Sequence, residues 1–221
     1  MDATERELVN RGEVDLARMA DLSDTRTALR YCFDAFIAAV ILVLLAPLLA
    51  IVALLIRLDS RGPALFLQTR TGLNGGTFLI YKFRTMNVQE DSAVVRQAQR
   101  GDARMTRLGA FLRKTSLDEL PQLLNVLRGD MALVGPRPHA LAHDNHYGAL
   151  ISTYRQRFAV RPGITGWAQI NGSRGATPEV ADMQRRIELD LWYVENRSLA
   201  LDIRILLVTA LHILPHRSDA Y

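Results

Sequence analysis

The sequence predicts an α+β fold, mostly helical, in which one small domain is seated on a membrane by an N-terminal apolar segment that enters and turns back. Three observations predict it. Ala35 to Ile56 is a run of 22 residues without a charge. Two short apolar–polar stretches flank Asn74-Gly75-Gly76, the pattern of a hairpin. Much of the chain after residue 88 carries helical spacing, punctuated by Gly and Pro. At 221 residues, 49% of them hydrophobic, there is material for one domain plus an apolar segment. The expected organisation is a polar arm over 1–30, a membrane-embedded kinked helix over 31–57 and a single domain over 58–221.

The arm is locally acidic, with seven carboxylates against four arginines in residues 1–27, and nothing in it suggests chemistry. As one helix the apolar run would be roughly 33 Å long, enough to cross a bilayer. By length alone a single crossing is the default. Two details argue against it. Pro47 sits in mid-run, where it removes a backbone hydrogen bond and kinks a helix. Arg26 and Arg30 precede the run and Arg57 and Arg61 follow it, so charge favours neither end for the far side. A helix that enters, breaks near Pro47 and returns to the same face satisfies both details. The run begins too deep for a signal peptide and lacks an A-x-A exit. The single Cys32 cannot make an internal disulfide.

Beyond the run, Leu58 to Met86 reads as two short strands joined at Asn74-Gly75-Gly76. Lys82 and Arg84 alternate with Phe83, which puts both cations on one face of the second strand. Val88 to Arg113 is expected to be helical. On a continuous helix Arg96, Arg100, Arg104 and Arg107 would form a basic stripe, either a solvated face or a contact for anionic lipid headgroups.

The stretch richest in chemistry is Thr115 to Pro138. It sets two carboxylates, Asp118 and Glu119, at an expected helix start, and Ser116 with Glu119 makes the S-x-x-E capping pattern. Pro121 fits the first turn if Asp118 is the N-cap. The plain alternative is that both carboxylates only cap the helix. Their neighbours favour more: Arg113 and Lys114 precede them, Arg128 follows, and Gly135-Pro136-Arg137-Pro138 ends the stretch in a rigid turn holding one guanidinium. Carboxylates among arginines suit phosphate and a divalent metal with oxygen ligands.

His139, His143 and His146 follow. The first two have helical spacing, but no H-E-x-x-H pattern accompanies them, and carboxylate with phosphate fits magnesium better than imidazole does. Arg161 to Arg174 is loop-like, with Pro162, Gly163, Gly166 and Gly172 in close order. Trp167 there is either a contact for a nucleotide or a packed anchor, and Arg174 is a candidate phosphate ligand. Met183 to Val194 reads as an amphipathic helix. Leu199 to Leu214 is apolar but too short and too charged to span, so it packs in the core or lies on the membrane surface. Only Lys82 and Lys114 of the 27 basic residues are lysines; the guanidinium's planar fork suits phosphate. A nucleic-acid binder fits the net charge of +4 but not the apolar run, and no reading motif appears.

Taken together, the blocks Phe33-Asp34, the run broken at Pro47, Asp59-Ser60-Arg61-Gly62-Pro63, Tyr81-Lys82-Phe83-Arg84-Thr85-Met86, Leu117-Asp118-Glu119-Leu120-Pro121-Gln122, Val134-Gly135-Pro136-Arg137-Pro138 and Arg161-Pro162-Gly163-Ile164-Thr165-Gly166 resemble the bacterial sugar transferases, the monotopic phosphoglycosyl transferases. The resemblance covers roughly residues 28 to 214, and RPHALAHDNHY resembles a subgroup that commonly uses UDP-glucose.

The resemblance implies a re-entrant helix–break–helix hairpin with its kink at Pro47, and a catalytic domain on the cytoplasmic face of the bacterial inner membrane. It implies transfer of hexose-1-phosphate from a UDP-sugar, first UDP-glucose and then UDP-galactose, to undecaprenyl phosphate with release of UMP, an opening step of exopolysaccharide assembly. By resemblance Asp118 matches the nucleophile of a covalent intermediate. Glu119 helps hold Mg²⁺, with Mn²⁺ as the substitute, so the metal ligands would be Asp118 and Glu119. Arg113 and Arg137 offset phosphoryl charge, and Lys82, Arg84 and Arg174 are further phosphate-binding candidates. The implied partners are the UDP-sugar, undecaprenyl phosphate and membrane lipids, without nucleic acid; homodimerisation is left open. Longer family members carry an additional N-terminal membrane region, so the chain resembles a short form or a catalytic part. The reading from another class is a non-catalytic adaptor whose apolar hairpin and arginines bind lipid and a partner protein.

Overall fold

The computed structural model describes residues 25–87, 102–175 and 177–213. As expected, the fold is mostly helical, with two small two-stranded sheets and one long apolar N-terminal helix able to anchor the chain in a membrane.

That helix, α1 (Thr25–Asp59), runs through Pro47 as a single element. Where a break into two helices is expected, the helix continues on both sides of Pro47, the proline removing one backbone hydrogen bond without ending it. Only 11% of its most apolar window is buried within the protein, so α1 is not a core helix. It touches the domain at both ends. Ala38 lies in the main core with Ile37, Ile41 and Leu42 around it, and the Tyr31 hydroxyl donates to the Leu127 carbonyl at 3.2 Å. Val52 and Ile56 enter a second cluster with Phe83 and Leu112. Between these anchors Val43, Leu44, Pro47 and Ile51 are exposed.

The expected hairpin is present: β1 (Leu65–Thr71) and β2 (Thr77–Phe83) pair antiparallel, with Leu65 opposite Phe83 and Thr71 opposite Thr77. Asn74 and Gly75 take the positive φ the turn needs. The helix expected over Val88–Arg113 is shorter. Residues 88–101 lie outside the described residues, and α2 begins only at Arg107 and ends at Thr115. Met105 bridges to Met86, and Thr106 caps the helix by accepting from the Gly109 N–H at 2.9 Å. Arg104 precedes the helix, 2.6 Å from Asp102, so Arg104 and Arg107 share no helical stripe. Arg96 and Arg100 fall outside the described residues.

A 3-10 helix (Leu117–Gln122) leads into α3 (Leu123–Arg128). β3 (Ala132–Val134) then pairs in parallel with β4 (Gly163–Thr165), a sheet not foreseen in the loop-like 161–174 stretch. The pairing needs glycine, since a Cβ at Gly135 or Gly163 would strike the backbone of the other segment. Between them lie α4 (Leu141–Leu150) and a 3-10 helix (Tyr154–Ala159). After the short α5 (Trp167–Ile170) come the two expected helices, α6 (Val180–Asn196) and α7 (Leu199–Ile213). α7 is two-faced. Ile205 is fully buried in the main core and Asp202 pairs with Arg30 of α1 at 3.0 Å, while Leu199, Ile203, Leu207 and Leu211 form an exposed stripe at four-residue spacing.

Candidate active site

Asp118 and Glu119 lie on the 3-10 helix, but not as a capping box. Ser116 adopts a left-handed conformation (φ 57°) that ends α2, and its hydroxyl accepts from Arg174 at 2.8 Å instead of capping. Glu119 turns away from Ser116. It accepts from Lys82 at 2.9 Å and from Arg137 at 3.0 Å through one oxygen each, and Arg137 also donates to the oxygen that Lys82 uses. Asp118 is 8% exposed, and no hydrogen bond from a described residue reaches its carboxylate.

Three elements hold this arrangement. Buried Asn125 on α3 accepts from the Tyr81 N–H at 3.0 Å and donates to the Leu79 carbonyl at 2.7 Å, clipping the carboxylate helix to the edge of β2. This sets Lys82, the next residue along, against Glu119. The Gly135–Pro138 turn is pinned by Gly163 N donating to Pro136 O at 3.0 Å and by Arg157 donating to Arg137 O at 2.6 Å. Arg113, in the last turn of α2, donates from Nε to the Thr85 hydroxyl at 2.9 Å.

The electrostatics separate the two carboxylates. Burial pushes Asp118 up to about 6, reinforced by the charge of Glu119 and opposed by Lys82, Arg113 and Arg137. Burial works the same way on Glu119, but the charges and hydrogen bonds of Arg137 and Lys82 outweigh it and hold the group well below the usual carboxylate range. Glu119 in turn raises Arg137. Lys82 is lowered, because its burial exceeds the help from a carboxylate that Arg137 already neutralises. The result is one committed anion, Glu119, beside one carboxylate held ready near neutrality, Asp118.

The other candidates sort by their acceptors. Arg174 reaches the site's edge at Ser116. Arg84 stands apart: its guanidinium donates to the carbonyls of Ser60 and Arg61, both at 2.7 Å, at the C-terminal end of α1, and Gly62 beside it takes a φ of 122° that favours glycine. Arg128 lies over the Tyr81 ring and donates to its hydroxyl. Trp167 packs on the main core and stacks on Trp192 at 4.4 Å. His139 precedes α4 rather than sharing a face with His143. Its Nδ1 lies 2.8 Å from an Arg157 nitrogen and 2.6 Å from the Tyr154 hydroxyl. Burial and the charges of Arg157 and Arg186 push the His139 pKa well down.

Behind Arg137 runs a buried network that the sequence reading missed. Arg157 pairs with Asp190 at 2.8 Å, both at most 2% exposed, and Tyr154 donates to Asp144 at 2.7 Å. Arg186 holds the carbonyls of Ser173 and Gly175, in the loop that carries Arg174. A signal did exist. Met183, Arg186, Ile187 and Asp190 fall on one helical face, so two charges sit in an apolar stripe.

A family model described as bacterial sugar transferase matches residues 25–216, and the chain belongs to that family. A UDP-glucose:undecaprenyl-phosphate glucose-1-phosphate transferase of Caulobacter vibrioides is 56% identical over 176 residues, 80% of this chain and 66% of its own length. One of the same name from Escherichia coli is 49% identical over 188 residues, covering 85% of this chain and 40% of its own. An exopolysaccharide production protein of Rhizobium leguminosarum is 50% identical over 185 residues, 82% of this chain and 92% of its own. The chain thus spans less than two thirds of the two named transferases.

Proposed function

We propose that the protein transfers glucose-1-phosphate from UDP-glucose to undecaprenyl phosphate, releasing UMP, at the cytoplasmic face of the bacterial inner membrane. The observation that carries this reading is the buried Asp118, unbound by hydrogen bonds from any described residue, beside a Glu119 clamped by Lys82 and Arg137. The Asp118 carboxylate attacks the β-phosphorus, the bond to the UMP oxygen breaks, and UMP leaves with the bonding electrons. Undecaprenyl phosphate then attacks the same phosphorus and displaces Asp118. Carboxylate nucleophiles are ordinary in phosphoryl transfer. Lys82, Arg113 and Arg137 offset the charge on the transferring group.

Asp118 and Glu119 fit Mg²⁺ or Mn²⁺ in donor type, being hard oxygens. Among the described residues no group of three His, Cys, Asp or Glu could hold a metal, so the diphosphate would supply further ligands. When bound, the ion would neutralise diphosphate charge.

The membrane seat is read as re-entrant: α1 enters the bilayer and returns, bent at Pro47. Support comes from its two anchors on one domain with the exposed stretch between them. A crossing helix would touch the domain at one end only. The exposed stripe of α7 and the stacked Trp167–Trp192 pair supply a further apolar face, and tryptophan favours membrane–water interfaces. The activity is tested by incubating the purified chain with a panel of UDP-sugars and undecaprenyl phosphate and reading UMP; absence of UMP release with every UDP-sugar would end the reading. The topology is tested with a cysteine at residue 10 on a Cys32→Ser background. An impermeant thiol reagent should label it only after lysis, and labelling of intact cells would place the N-terminus outside.

A further inference from the structure

Arg70 takes part in none of the steps above. It stands on β1, and a bridge between Arg70 and Ala140 sets it against the end of the Gly135–Pro138 turn. Its guanidinium donates to the Pro138 carbonyl at 3.5 Å and to Gln68 Oε1 at 2.5 Å, while its Nε is buried without a hydrogen-bond partner. Among the described residues no carboxylate lies within ion-pair distance of it. Asp144, on the same side, is occupied by hydrogen bonds from Thr71 and Tyr154, each at 2.7 Å. Arg137 is a second guanidinium close by; burial first, and then the Arg137 charge, lower Arg70 to about 10. A partly buried cation with an idle N–H beside a like charge is costly unless an anion arrives to answer it.

We propose that Arg70 is a phosphate-binding residue, closing with Arg137 a two-guanidinium clamp on a substrate phosphate. This rests on the proposed function for the identity of the phosphate, which is either the diphosphate of the UDP-sugar or the phosphate of the polyprenyl acceptor. Both present the oxyanions that a guanidinium fork takes up.

The test uses the full chain in detergent, with Arg70→Gln and Arg70→Lys. Inorganic pyrophosphate, which needs no turnover, should raise the melting temperature of the wild type. Arg70→Gln should need about tenfold more pyrophosphate for the same shift, as loss of one charge-assisted contact implies, and Arg70→Lys should recover part of it. In steady state, Arg70→Gln should raise KM by about tenfold while kcat moves much less. A rise for UDP-glucose assigns the clamp to the diphosphate, and a rise for undecaprenyl phosphate assigns it to the acceptor. An unchanged pyrophosphate response together with unchanged KM values overturns the proposal, even if the variant melts lower, because a purely structural arginine moves only the melting point. If Arg70→Gln does not fold, Arg70→Lys carries both arms. If the chain transfers no sugar phosphate at all, the pyrophosphate arm still decides, so the two readings fail separately.

Discussion

Asp118→Asn separates a nucleophile from a capping residue through activity and stability together. The change keeps the side-chain volume, and among the described residues there is no hydrogen bond at the carboxylate to forfeit. In the wild type burial pushes the folded carboxyl up to about 6, from the ordinary aspartate value of 3.8. A raised folded pKa means that stability is full below the unfolded value and is lost as the pH rises through about 6. At pH 8 the ionised carboxylate therefore costs the fold about 3 kcal/mol, at 1.36 kcal/mol per unit. Asparagine carries no such cost. In chelator at pH 8, Asp118→Asn should melt higher, by roughly 6 °C or more at 2–4 °C per kcal/mol. Its turnover should fall by roughly 10³-fold, about 4 kcal/mol of barrier. The covalent step gives the sharpest assay. With UDP-glucose and no lipid acceptor, the wild type should release about one UMP per active enzyme, stall, and carry a hexose phosphate on the peptide containing Asp118. The variant should do none of this. A capping role predicts the opposite pattern: a loss of about 1 kcal/mol with catalysis intact in the folded fraction. A folded Asp118→Asn protein with near-normal turnover would refute the nucleophile assignment.

Three further outcomes are expected. Activity should vanish in excess EDTA and return with Mg²⁺ or Mn²⁺; full turnover in chelator would remove the metal from the mechanism. His139, held neutral by burial and by Arg157 and Arg186, should make the fold lose up to about 1.4 kcal/mol per pH unit as the pH falls below 6.5, because only the unfolded state takes up the proton. His139→Asn should flatten that part of the melting-temperature profile, and parallel profiles would contradict the assignment. Trp167 and Trp192 are the protein's two tryptophans, so their emission should be quenched when the chain is reconstituted into vesicles of brominated phosphatidylcholine. Unquenched emission would take the Trp167–Trp192 pair off the membrane.

The apolar run, the hairpin at Asn74-Gly75, the two C-terminal helices and the adjacency of Asp118 and Glu119 were all legible, because each is a pattern within a few residues. The capping box was legible in the same way and did not form. Ser116 and Glu119 each found a better partner at long range: Arg174 lies 58 residues from Ser116, while Arg137 and Lys82 lie 18 and 37 residues from Glu119. Pro47 was legible as a weak point but does not end α1, since losing one hydrogen bond does not end a helix that is anchored on both sides. What only the tertiary structure decided is the division of labour among the arginines. In sequence Arg84 reads as well as Lys82, and Arg157 reads as nothing. In the fold Arg84 faces carbonyls at the end of α1, Arg128 faces the Tyr81 ring, Arg157 faces Asp190 and Arg113 holds the Thr85 hydroxyl, while Arg137 and Lys82 face Glu119. The role of a guanidinium is set by the acceptors within about 3 Å of it. Those acceptors come from distant segments brought together by packing, and no local spacing encodes them.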